Sequence, residues 1–369
     1  MGEIELMDQK KKMKSEEVQY WNIVKGIGII LVVAGHACNS SVGTPVSNYI
    51  YLFHLPLFFF VSGYLYNEDK YGDDPYANIA ARLKSSWIKY VLIYWILILL
   101  HDTLLGLQML EEGAPLYTKT DMLAQMTNAA LGMGHEMMGG TLWFVPTVVM
   151  ASVLLGFIVT ASRKLYRITN NLWLKYIFQF VIILLLTIVG YILEQRRIDL
   201  VAHMQIVWIV MPFLWVGYLL RKSRISWDKY LNMPVGVICA FLLLLVSKRY
   251  TLDLVFEIVY PFMHIAAFLG IYMCLVLAKV VQKIEMLAKI TAMYGKASFW
   301  IMFVHFPVLK IFDWCYTILY VEGDFAQYRN LPVAYTYLWP VYLMLGLGVP
   351  MVLYLAGSFL VKRVMLCRK

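Results

Sequence analysis

The stretch NIVKGIGIILVVAGHACNS, residues 22–40, is predominantly apolar and carries Lys25 near its start and His36 near its end. A hydrocarbon core about 30 Å thick is crossed by about 20 helical residues, so this stretch predicts a transmembrane helix. The eleven-residue separation of Lys25 and His36 places both on one helix face, about 16 Å apart along the axis. Ionisable side chains inside a membrane usually face the protein interior or a water-filled cavity, so this face is a candidate functional surface.

Two structural alternatives stay open for this pair of side chains. Lys25 lies near the predicted membrane boundary, where a lysine can extend its ammonium group to the interface. His36 can form a hydrogen bond between helices without taking part in chemistry. The choice between these alternatives and a functional role depends on the rest of the chain.

The composition of the whole chain agrees with a membrane protein. Of its 369 residues, 61% are hydrophobic and 15% are charged, whereas an ordinary soluble domain is about half apolar and about a quarter charged. The mean hydropathy is +0.67. At such lengths only helices satisfy their own backbone, and a barrel would show alternating strands of about ten residues. We therefore predict an all-α polytopic membrane protein with about ten transmembrane helices, at 21–40, 48–66, 87–107, 142–161, 173–193, 203–220, 234–247, 258–278, 297–320 and 334–361.

The distribution of lysine and arginine predicts the orientation of the chain. These residues are concentrated in alternate loops on the side of the N-terminus, so the positive-inside rule places both termini in the cytoplasm. The same bias accounts for the net charge of +9, and no nucleic-acid partner is expected. The predicted organisation is a cytoplasmic amphipathic tail at 1–20, a transmembrane domain at 21–361 and a cytoplasmic basic tail at 362–369, in the inner or plasma membrane of a cell.

The cysteines give no sign of a metal centre or a disulfide framework. The five cysteines are scattered and fall mostly inside predicted spans. None of them forms a C-x-x-C motif or another metal-ligand spacing. We therefore expect small packing residues, and no metal.

Several short blocks resemble those of a known family. The second span reads YLFHLPLFFFVSGYLY, the fourth opens with TLWFVP, the sixth ends in MPFLWVGYLLRK and the ninth contains SFWIMFVHFPVL. Together with the basic-x10-His pair, these blocks resemble acyltransferase family 3, the integral membrane O-acyltransferases. The chain is most similar to the short, stand-alone branch of fucose 4-O-acetylase-like proteins, and the resemblance extends from Trp21 to about Lys362.

The resemblance implies roles for individual residues. It makes His36 the catalytic histidine and Lys25 its basic partner. The family's Arg-x-x-Arg motif matches Arg82, but its second arginine is replaced by Ser85, and Lys84 is the candidate that replaces the missing charge. Trp143 matches the family's tryptophan, whereas Gly139 stands where the family has a serine.

The implied function is transfer of an acyl group, acetyl in the first instance, from cytosolic acyl-CoA to a hydroxyl of an extracytoplasmic or lipid-linked saccharide. Acyl-CoA phosphates need cations, which Lys25, Arg82 and Lys84 would supply. His36 would act as general base on the hydroxyl, or alternatively as a nucleophile on the thioester. A transporter or flippase of a polysaccharide or lipid-linked glycan is the alternative function. Transporters usually show inverted repeats, whereas the Lys25–His36 pair occurs once, and this favours the enzyme.

Other polar residues of the spans have two interpretations each. His54 and His305 either line the same cavity as His36 or form structural hydrogen bonds between helices. Asp102 either orients His36 or lies at a solvated helix end. Trp143 is a candidate for stacking on a sugar acceptor. Lys310 and Asp313 are three residues apart on one helix, so we expect them to pair with each other.

Overall fold

The structure, a computed structural model, describes residues 2–38, 44–110, 113–223, 226–249, 260–321 and 333–367. Within these ranges the chain is helical and contains no strand. Its α-helices are Gly2–Ala37 (α1), Pro45–Tyr51 (α2), His54–Tyr64 (α3), Glu68–Tyr71 (α4), Pro75–Arg82 (α5), Ile88–Gly106 (α6), Lys119–Ala130 (α7), Phe144–Thr169 (α8), Leu172–Gln195 (α9), Met204–Ile209 (α10), Met211–Lys222 (α11), Met233–Ser247 (α12), Phe262–Gln282 (α13), Glu285–Tyr316 (α14) and Trp339–Cys367 (α15).

The all-α polytopic membrane architecture is confirmed. In the described ranges, eight helical segments are long and apolar enough to cross a membrane. The pair α10–α11, which is bent by 55°, would be a ninth if it forms one span. The seventh predicted span, 234–247, coincides with α12, whose 15 residues fall short of the usual 20 or so. The count of ten and the cytoplasmic location of the termini therefore stay predictions.

Several helices begin directly after a polar residue that caps their first turn. Before α2, the Thr44 hydroxyl accepts a hydrogen bond from the Ser47 amide in a capping box. Asp74 caps α5 and Asn171 caps α9 in the same way, each through its side-chain oxygen. Such caps satisfy amides that have no partner inside the helix. Polar loop residues thus cap the first turns of α2, α5 and α9.

Glycines bring α1 and α14 into close contact. A Cβ added at Gly26 would overlap the carbonyl oxygen of Thr291, and one added at Gly295 would overlap the carbonyl oxygen of Asn22. Close backbone approach of this kind is how membrane helices gain packing energy. Further along, the rings of His36 and His305 lie together, so the two helices run parallel. The helix that carries Lys25 and His36 therefore lies against the helix that carries His305.

A second glycine contact joins α3 to α11. A Cβ at Gly63 would overlap the backbone of Leu214, and one at Gly217 would overlap the carbonyl oxygen of Phe60. These helices run antiparallel, because residues 60 and 63 meet 217 and 214 in reverse order. Both glycine-packed pairs lie within the main hydrophobic core, which also includes buried residues of α8 and α13.

The two ends of the helix bundle are distinguished by their polar side chains. We call them the Lys25 end and the His36 end, after the residues of α1. At the Lys25 end, Trp21 stacks on Tyr64 of α3, with ring centroids 3.8 Å apart. The chain that follows α3 carries Glu68, a buried carboxylate that contacts α8, α9 and α11. The starts of α8 and α10 lie at the opposite, His36 end.

The Glu68 cluster consists of Glu68 and its four donors, Arg163, Lys175, Tyr218 and Lys222. Their donor atoms lie 2.9–3.1 Å from the carboxylate oxygens. Burial alone would raise the pKa of the Glu68 carboxyl, but hydrogen bonds from Lys222 and Lys175 outweigh that effect and lower the pKa to about 2. The carboxylate is therefore ionised at neutral pH and holds three helices together.

Candidate functional site

A cavity of about 310 Å³ lies at the Lys25 end and contains two of the predicted cationic residues. Lys25 of α1 and Arg82 at the end of α5 both line it, and Ser62 and Ser298 add hydroxyl groups. The remaining wall is apolar and is formed by α3, α8 and α14. We call this the Lys25–Arg82 cavity. Two of the three cationic residues singled out in the sequence thus line one cavity.

No carboxylate of the described residues forms an ion pair with the two cations of this cavity, Lys25 and Arg82. Lys296 lies close enough to repel Lys25 electrostatically, and Lys89 lies 5.0 Å from the ring centroid of the wall residue Phe299. Unpaired cations in a partly buried site are costly. The cavity is therefore suited to an anion.

Lys84, the third predicted cation, does not line this cavity. It lies on the π-helical turn Leu83–Trp87, where its side chain is exposed. Ser85 is also exposed, and its hydroxyl donates to the Arg82 carbonyl. Lys89 and Lys296 add positive charge near the Lys25–Arg82 cavity without lining it. Sequence reasoning missed Lys89 and Lys296 because no motif marks them.

His36 lies in the last turn of α1, at the opposite end of the same helix. Its Nδ1 is 3.4 Å from the Tyr51 hydroxyl, and its ring centroid is 5.9 Å from that of Phe306. Gly35 makes room for this arrangement, since a Cβ there would lie 2.7 Å from the Tyr51 ring. The glycine before the histidine thus allows a tyrosine from α2 to reach the imidazole.

His54 and His305 complete a histidine cluster with His36. Each donates Nδ1–H to the carbonyl four residues earlier, at 3.1 Å to Ile50 and 2.8 Å to Ile301. A carbonyl only accepts, so both rings keep their lone pair on Nε2. The Nε2 of His305 is buried and has no hydrogen-bond partner among the described residues, and its ring lies 5.4 Å from the His36 ring. His305 therefore faces His36 and makes no hydrogen bond to another helix within the described part of the chain.

Asp102 is placed away from this cluster, in contact with a loop. Its carboxylate accepts a hydrogen bond of 3.0 Å from the Tyr117 amide. The neighbouring His101 has the more elaborate environment: its Nδ1 lies 3.1 Å from Glu136, its Nε2 lies 3.1 Å from the Pro115 carbonyl, and its ring stacks on Tyr117. Sequence reasoning missed His101 and Glu136, because the two are 35 residues apart and no local pattern connects them.

Trp143 lines a second cavity, of about 530 Å³, at the His36 end. We call this the Trp143 cavity. Glu136, Asp199 and His203 also line it, and none of the three was singled out by the sequence. Gly139, at the place of the family's serine, accepts a hydrogen bond from Tyr94 through its carbonyl. Loop residues thus supply most of the polar groups of this cavity.

Asp313 has partners other than the expected one. Its carboxylate accepts hydrogen bonds from the Tyr342 hydroxyl and the Ala334 amide. The Lys310 ammonium lies 5.8 Å from the ring centroid of Phe306. Lys310 and Asp313 interact electrostatically, as expected, while α15 and the segment before it supply the hydrogen-bond donors of the carboxylate. Separately, among the described residues no three His, Cys, Asp or Glu side chains are grouped so as to hold a metal ion.

Comparison with known proteins identifies the family. No curated protein and no solved structure matches the chain. Residues 18–355 match the acyltransferase domain that defines acyltransferase family 3. This range contains both cavities and the histidine cluster, and the match confirms the resemblance based on the basic-x10-His pair. The chain therefore belongs to acyltransferase family 3 and is a membrane acyltransferase.

Proposed function

We propose that the protein transfers an acyl group, acetyl in the first instance, from acyl-CoA to a saccharide hydroxyl, with His36 as general base. The observation that carries this proposal is the Lys25–Arg82 cavity, because one of its two cations, Lys25, lies on the helix that also presents His36. We further propose that the protein belongs to the short, fucose 4-O-acetylase-like branch of the family.

The cavity fits the charged end of the donor. CoA phosphates form strong, charge-assisted hydrogen bonds with lysine and arginine, and a guanidinium can bind a phosphate in bidentate fashion. The cavity wall continues along α14 from Ser298 to Met302. One turn further, Phe306 contacts His36. The helix rise from Lys25 to His36 is about 16 Å, so a thin, extended pantetheine arm is suited to carry the thioester from one residue to the other.

His36 is placed to manage the proton of the transfer. When its Nδ1–H donates to the Tyr51 oxygen, Nε2 holds the lone pair that removes the proton from the acceptor hydroxyl. The hydroxyl oxygen then bonds to the thioester carbonyl carbon, the C–S bond breaks, and the departing CoA thiolate takes up the proton. General-base catalysis of this kind contributes about 10²–10⁴-fold to the rate.

The proposed orientation follows from the location of the donor. Acyl-CoA is made in the cytosol, so the Lys25 end faces the cytosol and both termini lie on that side. The concentration of lysine and arginine there supports the same orientation. The acceptor is then an extracytoplasmic or lipid-linked saccharide, and the protein acts in the inner or plasma membrane.

The test compares charge reversals inside and outside the cavity. Lys25→Glu and Arg82→Glu should each weaken CoA binding to the purified protein by about tenfold or more, measured by calorimetry in detergent. Lys84→Glu is the matched control, because it makes the same change on an exposed residue outside the cavity. Size-exclusion profiles show whether each variant is folded. If all three folded variants bind CoA equally, the cavity does not hold the donor.

The second arm of the test concerns His36. His36→Gln keeps hydrogen bonding but cannot accept a proton near neutral pH, so transfer from acetyl-CoA should fall by about 10²-fold or more. CoA binding should be unchanged, because His36 does not line the Lys25–Arg82 cavity. A His36→Gln variant with near-normal transfer would assign the base elsewhere, and His305 would be the first candidate.

A further inference from the structure

The Trp143 cavity opens at the His36 end, on the other side of the start of α8 from the Lys25–Arg82 cavity. Its walls are the loop at 134–143, the C-terminal end of α9 and the residues around the start of α10. Its volume of about 530 Å³ lies within the range of about 300–1,000 Å³ that is usual for small-molecule sites. The cavity is thus large enough for a ligand, and the donor proposal does not use it.

The walls combine the indole ring of Trp143 with several hydrogen-bonding side chains. Trp143 lies edge-on to the His203 ring, with centroids 6.4 Å apart and an interplanar angle of 82°. Glu136, Asp199 and Gln205 add carboxylate and amide groups. A saccharide has an apolar C–H face and a rim of hydroxyls that both donate and accept. An indole face and several side-chain acceptors are the groups that such a ligand needs.

The polar groups are held in place by the protein before any ligand binds. Glu136 is fixed by His101 at 3.1 Å and by the Tyr117 hydroxyl at 3.0 Å. Asp199 accepts hydrogen bonds from Gln205 at 2.7 Å and interacts with His203 at 3.1 Å. Preorganised groups lose less entropy when a ligand binds. This rigidity favours a binding site over a solvated surface loop.

The backbone between α9 and α10 adopts left-handed conformations next to this cavity. Arg197, Ala202 and His203 all have φ values of 53–54°, in the left-handed region that non-glycine residues seldom adopt. Arg197 and His203 line the cavity. Such conformations are strained, and they cluster at ligand sites. In this loop they direct Arg197 and His203 to the cavity.

One aromatic ring separates this cavity from His36. A Cβ added at Gly140, a wall residue, would lie 3.4 Å from the Phe306 ring, and the centroid of that ring is 5.9 Å from the His36 ring. The neighbouring Thr141 hydroxyl donates to the carbonyl of Met302, which lines the Lys25–Arg82 cavity. Phe306 and His36 therefore lie where the two cavities approach each other.

We propose that the Trp143 cavity is the acceptor site and that it binds a neutral saccharide unit, with Trp143 against the sugar ring. This inference rests on the proposed function, since it supplies the hydroxyl on which His36 acts. The charge of the cavity selects a neutral sugar, because three carboxylates line it, those of Glu136, Glu194 and Asp199, against the single guanidinium of Arg197. An acidic sugar would be repelled.

The test measures saccharide binding in the absence of CoA. Purified protein in nanodiscs is mixed with methyl glycosides of fucose, galactose, glucose and N-acetylglucosamine, and with glucuronic acid as the acidic probe. Saturation-transfer NMR should detect binding of at least one neutral glycoside and no binding of glucuronic acid. Trp143→Ala should reduce the affinity by about tenfold or more. The matched control is Trp173→Ala, which removes an 80% exposed tryptophan at the Lys25 end.

Each outcome decides for or against the acceptor site. Equal binding by the Trp143→Ala and Trp173→Ala variants overturns it, and so does binding of glucuronic acid as tight as that of the neutral sugars. A protein that binds CoA but none of the neutral glycosides also overturns it, whereas the proposed donor site would stand. With the bound glycoside as acceptor, Asp199→Asn should raise the KM for the saccharide while the affinity for CoA stays unchanged. A fall in kcat alone would contradict an acceptor-binding role.

Discussion

Neutralising the buried carboxylate of the Glu68 cluster by Glu68→Gln should destabilise the protein by about 3 kcal/mol. Glu68 is 4% exposed and accepts hydrogen bonds from four side chains on three different helices. Glutamine has nearly the same shape but carries no charge, and its amide nitrogen replaces one acceptor with a donor. Lys175 and Lys222 would then lose the buried counter-charge that they share.

Two arguments give this destabilisation of about 3 kcal/mol. The pKa of Glu68 falls from 4.5 in the unfolded chain to about 2 in the folded protein, and each unit corresponds to about 1.4 kcal/mol, so ionisation of this group contributes about 3 kcal/mol. Removing one partner of a buried ion pair costs about 3–5 kcal/mol. Because the folded pKa is the lower one, this stabilisation is complete above pH 4.5 and is lost as the pH falls towards 2.

The assay is thermal unfolding of the detergent-solubilised protein, followed by loss of the monodisperse species on size exclusion. Glu68→Gln should lower the midpoint at pH 7 by several degrees, since each kcal/mol corresponds to about 2–4 °C in proteins of considerable size. Asp69→Asn is the control: it makes the same change at a carboxylate that is 89% exposed and has one contact, at 3.5 Å. At pH 3 the difference between wild type and Glu68→Gln should shrink. Equal midpoints for the two variants at pH 7 would refute the reasoning.

Three further predictions concern packing, chemistry and topology. Gly217→Val should destabilise the fold by about 3 kcal/mol because its side chain would overlap the α3 backbone, whereas Gly357→Val, with no atom within 4 Å of its Cβ, should change the unfolding midpoint by less than a degree or two. His305→Gln should slow acyl transfer about tenfold or more while CoA binding is kept; an unchanged rate would make His305 a packing residue. In a cysteine-free background, a cysteine at Leu116 should react with an impermeant maleimide on intact cells, whereas one at Ile168 should react only after permeabilisation; the reverse pattern would invert the proposed orientation.

Features that depend on one helix could be predicted from the sequence. Lys25 and His36 share a helix, and their separation follows from its geometry. Lys25 and Arg82 line one cavity, because Arg82 ends a helix that packs beside α8. Lys84 could not be placed in this way: the turn that follows Arg82 is π-helical, and such a turn changes the direction in which the next side chains point.

Features that depend on loops could not be predicted from periodicity. His101 reaches Glu136 across 35 residues, and Asp199 with His203 meets Trp143 only because α9 and α10 bring their ends together. The bend between α10 and α11 could not be predicted either, because an apolar stretch of sequence gives no sign of where its helix breaks. These contacts arise from packing between distant segments, which no local pattern specifies.

The parallel contact of α1 with α14 has a consequence for biosynthesis. Gly26 and Gly295 are separated by roughly 270 residues, which a ribosome translates in roughly 15–50 s at about 5–20 residues per second. During that interval the first helix is already in the bilayer, yet the partner that shields its polar face has not been made. A nascent chain arrested before α14 thus lacks the helix that packs along this face of α1 and carries His305. The site is completed only near the end of translation, so membrane quality control has its longest opportunity to act on this first helix.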